Sequence, residues 1–181
     1  MLMVIVTGKI YDFLFSSHMF ACMPIILNLV CFHNITSNRT HVAGTMAAIQ
    51  GNGKGVVGVV RSGQMPLRIG KGLQDSGSGS TANVLLAMKD CVTDGTANGG
   101  KVVVNMSLGG GGFTTSVDEY LKELDDAGTN VLFVAAAGNN GSSSYSYPAS
   151  YDRGVMMSVA AVDSNNAKAS FSQVSEEWVK H

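Results

Sequence analysis

An asparagine pair, Asn139 and Asn140, follows a run of small residues in FVAAAGNNGSSS. An asparagine amide can donate a hydrogen bond to charge developing on a ligand, and small neighbours let the ligand's backbone come close. VNMSLGGGG leaves a second apolar run through Gly109–Gly112, and DSGSGS makes a third small-residue loop. Proton transfer needs a different group, ordinarily an imidazole. His41 lies in NRTHVAGT, whereas His18, His33 and His181 have no supporting context. None of Ser76, Ser78, Ser80 or Ser107 sits in the GxSxG setting of a nucleophile elbow. GNGKG is not a phosphate loop, because Ala48 stands where the first glycine is needed and Gly55 where a Ser or Thr should hold the metal. The glycines before TTSVDEYL fail as GxGxxG, since Thr114 and Thr115 fall where the last glycine belongs.

Regular elements must position these loops. HVAGTMAAI predicts a short helix, GVVGVV a buried strand and QMPLRIG an alternating strand. STANVLLAMKDCV carries Val84, Leu85, Met88 and Val92 at helical spacing, with Ser80 or Thr81 as its cap. KVVVNMSL, NVLFVAAAG and GVMMSVAAV predict buried strands. TTSVDEYLKELDDAG predicts an amphipathic helix, acidic in its first turn and ended by Gly128. Apolar strands alternating with helices imply parallel βαβ units, and so an α/β three-layer sandwich with a mainly parallel sheet. In such sheets ligands bind at the carboxyl ends of strands, where AAAGNNG and SLGGGG both emerge.

The 181 residues suffice for one domain with a substantial core, and the net charge of −1 gives no basic field for nucleic acid or an anionic membrane. Cys22, Cys31 and Cys91 form no zinc pattern, and Cys91 reads as a small apolar core residue. Residues 1–38 differ from the rest of the chain: they are apolar, without a helical or alternating period. The run from Met19 to Phe32 is broken by Pro24 and is too short to span a bilayer comfortably. The segment also makes a poor signal peptide, with Lys9 and Asp12 interrupting it and no small-residue cleavage site. The division expected is therefore 1–38, a stretch foreign to the domain such as untranslated sequence read through as protein, and 39–181, the domain itself.

The succession THVAGT, GVVGV, SGSGS, NMSLGG, VAAAGNNG, YP and AVDSNNAKASFS resembles the subtilisin-like serine proteases, the subtilases, over about Thr40 to Gln173. The resemblance implies their fold, here truncated at both ends, and their activity, endopeptidase hydrolysis by an Asp, a His and a Ser in that chain order. The family's histidine motif reads HGTHVAGT. Asn38 occupies the catalytic His position here, Arg39 replaces the glycine, and His41 matches the motif's second histidine. An asparagine amide cannot take up and return a proton near neutral pH. Asp12 is not in a DTG- or DSG-type context, and no GTSMA motif occurs. The chain as written is therefore expected to be inactive.

The binding half of the site remains. Asn139 matches the oxyanion-hole asparagine, whose loss in subtilisin costs about 10²–10³ in rate. Ser107, Leu108 and Gly109 resemble one wall of the pocket for the residue before the cut, and Ala135, Ala136, Ala137 and Gly138 the opposite wall. Gly77, Ser78 and Gly79 resemble the edge that pairs with an extended substrate. Tyr147-Pro148 matches a tight turn with a cis peptide bond bordering that pocket. The partners implied are an extended polypeptide substrate or inhibitor, with no nucleic acid, no membrane and a monomeric full-length form. The family's extracellular location is implied too, although the N-x-S/T triplets at Asn34, Asn38, Asn105 and Asn140 say little. Calcium is implied for a full-length form. In this chain Asn52 and the carbonyls of Ile49, Lys54 and Val56 could supply oxygens, but the acidic ligand is missing and no metal site is assigned.

Other readings stay open. A pseudo-protease would keep the groove as a peptide-binding or regulatory module. It would have to fold without an upstream central strand, leaving edges and an apolar face exposed. A nucleotide-binding α/β module would share the architecture but lacks both phosphate fingerprints.

Overall fold

The computed structural model describes residues 3–4, 27–32, 38–59, 67–74, 76–97 and 99–175. In chain order the elements are β1 (Met3–Val4), β2 (Leu27–Phe32), α1 (Asn38–Ala47), β3 (Leu67–Ile69), α2 (Thr81–Thr96), β4 (Lys101–Met106), α3 (Thr115–Asp126), β5 (Val131–Ala136), β6 (Met156–Val159) and β7 (Ala161–Val162). Strands pair mainly in parallel and alternate with helices, an α/β fold as the patterning predicts. The chain divides into two compact units, one of residues 26–107 with 128–132, the other of residues 1–25, 108–127 and 133–181.

In the first unit β2 lies between β3 and β4, parallel to both, with Val30 opposite Leu67 on one side and Val103 on the other. A central strand therefore exists upstream of residue 38, where the sequence pattern predicts none. A strand flanked on both sides can be a continuous apolar run, and LNLVCF has no period to distinguish it from its surroundings. The helix α2 packs against β4. Met88, Cys91 and Val92 of the helix and Val102, Val103, Val104 and Met106 of the strand are buried. Ser80 caps α2, its side chain accepting from Asn83 N at 3.2 Å. Cys91 is a core residue, as the sequence reading has it, and it is also disulfide-bonded.

GVVGVV is not a strand. The chain turns there at Gly55, φ +60°, and lies back on the end of α1: Gly58 N donates to Ala48 O at 3.0 Å and Val59 N to Thr45 O at 2.9 Å. A Cβ at Gly58 would meet the Ala47 main chain, so only glycine permits this approach. Val56, Val57 and Val59 consequently point to solvent. Apolar content alone does not separate a buried strand from a loop folded over a helix end.

In the second unit β5 and β6 run parallel, with Phe133 opposite Met156 and Ala136 opposite Val159. Phe133 and Ala135 are fully buried while Val134 between them is less so, the two-residue period of a strand. The run GVMMSVAAV is interrupted at Ala160, and its end, β7, pairs antiparallel with β1. The helix α3 buries Val117, Leu121 and Leu124, an i, i+4, i+7 stripe, and Gly128 follows with φ +60°. Arg153 ties α3 to the turn before β6 by two hydrogen bonds to Asp118, at 2.9 and 2.6 Å, and Asp125 accepts from Gly154 N at 2.7 Å. No helix among the described residues is long and apolar enough to cross a membrane.

Candidate functional site

Strand β5 ends at Ala136, and the chain then turns through Ala137, Gly138 and Asn139. Gly138 has φ +114°, a conformation that side chains rarely adopt, so the turn depends on glycine at this position. The loop is held to residues 171–174 by main-chain bonds: Gly141 N to Phe171 O at 2.8 Å, Gln173 N to Gly138 O at 3.1 Å and Val174 N to Ser142 O at 3.3 Å. Asn139 is exposed, and its side-chain amide makes no hydrogen bond to any described residue. A fixed loop thus presents an uncommitted amide to solvent, the state in which a donor can meet a ligand without first breaking a bond.

The glycine loop Gly109–Gly112 comes to the same place. Gly111 forms an antiparallel bridge with Tyr147. A Cβ added at Gly109 would lie 3.4 Å from Ser146 Oγ and 3.7 Å from Tyr147 O, and one added at Gly138 would lie 3.1 Å from the same Ser146 Oγ. Gly109 and Gly138, one from each of the two loops, therefore both lie beside Ser146 Oγ. The Tyr147-Pro148 bond beside it is cis, as expected. Ser146 itself is braced by Ser150, whose Oγ accepts from Ser146 N at 2.8 Å and donates to Ser146 O at 2.9 Å.

An aromatic group borders this region. Tyr147 stands edge-on to Phe113 and Tyr151, with ring centroids 5.7 and 4.8 Å away, and stacks on Tyr145 at 6.4 Å. The Tyr151 hydroxyl accepts from Thr114 N at 3.0 Å and donates to Thr114 O at 3.2 Å, which fixes the far end of the glycine loop. Burial pushes the Tyr151 phenol's pKa up, against a lowering by those bonds.

The remaining candidates belong to the other unit. Asn38 is the first residue of α1. Ser107 directly follows β4, and its Oγ accepts from Asn105 Nδ2 at 2.9 Å. Gly77, Ser78 and Gly79 are exposed, in a turn where Gly77 N donates to Gln74 O at 3.0 Å and Ser78 O accepts from Gln74 N at 2.8 Å. Gly79 lies so close to Gly72 O that a Cβ would be 2.7 Å from it. For calcium, the residues near Asn52 do not fit. Asn52 Oδ1 accepts from Lys54 N at 2.9 Å, and the described residues contain no group of three or more His, Cys, Asp or Glu placed to hold a cation.

Sequence reasoning misses two residues here, Ser146 and Gln173. Gln173 is 2% exposed and reaches back to Asn140 and Ser144. Gln173 carries no local signal, because its side-chain partners lie on another loop, and Ser146 is marked only by the approach of Gly109 and Gly138 from other loops.

The model of the Subtilase family matches residues 40–181. The chain is 39% identical over 146 residues to the thermostable alkaline protease of Halalkalibacterium halodurans, covering 81% of this chain and 37% of that protein. It is 41% identical over 134 residues to subtilisin Savinase of Lederbergia lenta, covering 74% of this chain and 45% of that protein. Among solved structures it is similar to the psychrophilic subtilisin-like protease Apa1 from the Antarctic psychrotroph Pseudoalteromonas sp. AS-11, with a TM-score of 0.71 and 38% identity. That match covers 85% of this chain and 40% of that one. The chain thus spans less than half the length of each of these relatives.

Proposed function

Because the chain belongs to the subtilase family, we propose that residues 39–181 form the substrate-gripping and oxyanion-stabilising part of a serine endopeptidase domain. Asn139 donates to the carbonyl oxygen of the scissile bond. Ser107, Leu108 and Gly109 make one wall for the side chain before that bond, and Ala135–Gly138 the other. Gly77, Ser78 and Gly79 offer main-chain groups to an extended polypeptide. The observation that carries this reading is the convergence of Gly109 and Gly138 on Ser146 beside an exposed, uncommitted Asn139 amide.

Stabilising an oxyanion is not sufficient for hydrolysis. A serine must attack, and a base must take its proton and return it to the leaving amine. Asn38, in the place of the family's histidine, cannot carry that proton. These residues therefore bind an extended peptide and do not cut it, while the family's hydrolysis needs an Asp, a His and a Ser from elsewhere in a gene product. The pseudo-protease reading shares this binding chemistry and differs only in whether those groups are ever supplied.

The test is to titrate the intact chain with an acetylated tetrapeptide by calorimetry, then follow the peptide by mass spectrometry over a day. Saturable binding with the peptide left whole is the expected result. Cleavage that survives repurification would overturn the proposed inactivity, and absence of saturable binding would overturn the peptide-groove reading.

A further inference from the structure

Gln173 is buried, at 2% exposure, and both ends of its amide are committed. Its Oε1 accepts from Asn140 N at 3.4 Å, and its Nε2 donates to Ser144 O at 2.9 Å. The amide orientation is dictated by chemistry, since one partner can only donate and the other can only accept. Its own main-chain N donates to Gly138 O at 3.1 Å. Gln173 thus binds the residue before Asn139 and the residue after it. Its side chain also occupies the space beside Gly138, where a Cβ would fall onto Oε1. The main chain on both sides of the exposed amide is held by one buried residue 34 positions further along, by its main-chain N on the Gly138 side and by its side chain on the Asn140 side.

We propose that Gln173 is a positioning residue for oxyanion binding: it touches no substrate but fixes the direction in which Asn139 presents its amide. The proposal rests on the reading of Asn139 as the oxyanion donor. The physical argument is that a hydrogen bond to developing charge weakens steeply as its angle departs from linear. A donor on a loop free to rotate would spend much of its time misdirected, whereas pre-organised donors cost nothing to orient when charge appears. Burial strengthens the arrangement, because breaking either bond would leave a polar group unsatisfied away from water.

The test compares two ligands of the intact chain, acetyl-Ala-Ala-Ala-Leu with a free carboxylate and the same peptide ending in a carboxamide. The carboxylate places negative charge where the oxyanion would lie, so the ratio of the two affinities reports the donor. In the wild type we expect a preference for the carboxylate of about tenfold, the worth of a hydrogen bond to a charged acceptor. Asn139→Leu should abolish that preference. Gln173→Met, similar in shape but unable to make either bond, should reduce it to about twofold. Gln173→Glu adds a readout that simple packing would not give. As a carboxylate it repels Ser144 O, but once protonated it can again donate there and accept from Asn140. Its preference should therefore recover as pH falls through the raised pKa of a buried Glu.

If Asn139→Leu keeps the preference, or no peptide binds, the oxyanion reading fails. If Asn139→Leu loses it while Gln173→Met keeps it, the positioning role alone is overturned. Amide hydrogen exchange needs no ligand: Asn140 N–H should exchange at least tenfold faster in Gln173→Met, and an unchanged rate would also overturn the proposal. Should that variant misfold, Gln173→Glu measured across pH decides the matter by itself.

Discussion

Asn139 and Tyr120 illustrate opposite relations between a polar group and its surroundings. The Asn139 amide is exposed and unspent, while the Tyr120 phenol is half-buried on α3 with its pKa pushed up to about 12. Burial is the main cause of that rise and the nearby Glu123 carboxylate the second, since both disfavour a phenolate. The sign of the consequence comes from linkage. Below pH 10 the phenol is neutral whether the chain is folded or not, so stability does not change on its account. Between about 10 and about 12 the unfolded chain releases the proton while the folded one retains it, and stability falls as pH rises. Urea unfolding from pH 9 to pH 12 should show a steeper loss for wild type than for Tyr120→Phe. Equal slopes would mean that the phenol is as free to ionise in the folded chain as out of it.

Elements here are closed by local chemistry and aimed by long-range contacts. The cap of α2 is local: Ser80 Oγ accepts from Asn83 N, satisfying one of the donors that a helix N-terminus leaves open. Ser80→Ala should destabilise the protein by about 1 kcal/mol in chemical denaturation, and Ser80→Asp should restore most of it. A null effect for alanine would place the helix start elsewhere. This cap, the stripe of α3 and the glycine that ends α3 are all legible in the sequence, because each depends on residues within a turn or two. GVVGVV and LNLVCF are not legible in the same way. Both are short apolar runs, and one folds over a helix end while the other pairs between two strands. What separates them is partners ten or more residues away, together with Gly58 lying on a helix backbone.

At the scale of the whole molecule, stability rests on a few fully buried large side chains. Among the described residues Phe133, with no exposed surface, is the largest of them. Phe133→Ala should cost about 3–5 kcal/mol from lost transfer energy and the cavity left behind. Against the 5–15 kcal/mol typical of a domain, that is enough to lower the urea midpoint by about a fifth or more. A shift of under a tenth would show that β5 is not central to the core. The strand matters to the site as well, since it leads directly into Ala137, Gly138 and Asn139.

The sequence by itself determined the α/β class, the placement of α2, α3, β4 and β5, and the family to which residues 40–181 belong. It also marked the small-residue loops at Gly109–Gly112 and Ala137–Asn139 as places for a ligand, because small residues at strand ends are a local and ordered signal, while the wall and oxyanion roles proposed for them come from the family resemblance. Only the tertiary structure decided that Gly109 and Gly138 face one serine oxygen, that Cys91 is disulfide-bonded, that residues 27–32 supply a central strand, and that Gln173 braces the turn around Asn139. The reason is the same in each case. A hydrogen bond, a disulfide or a close approach joins residues tens of positions apart, and side-chain type at one end does not specify which distant backbone the fold will bring to it.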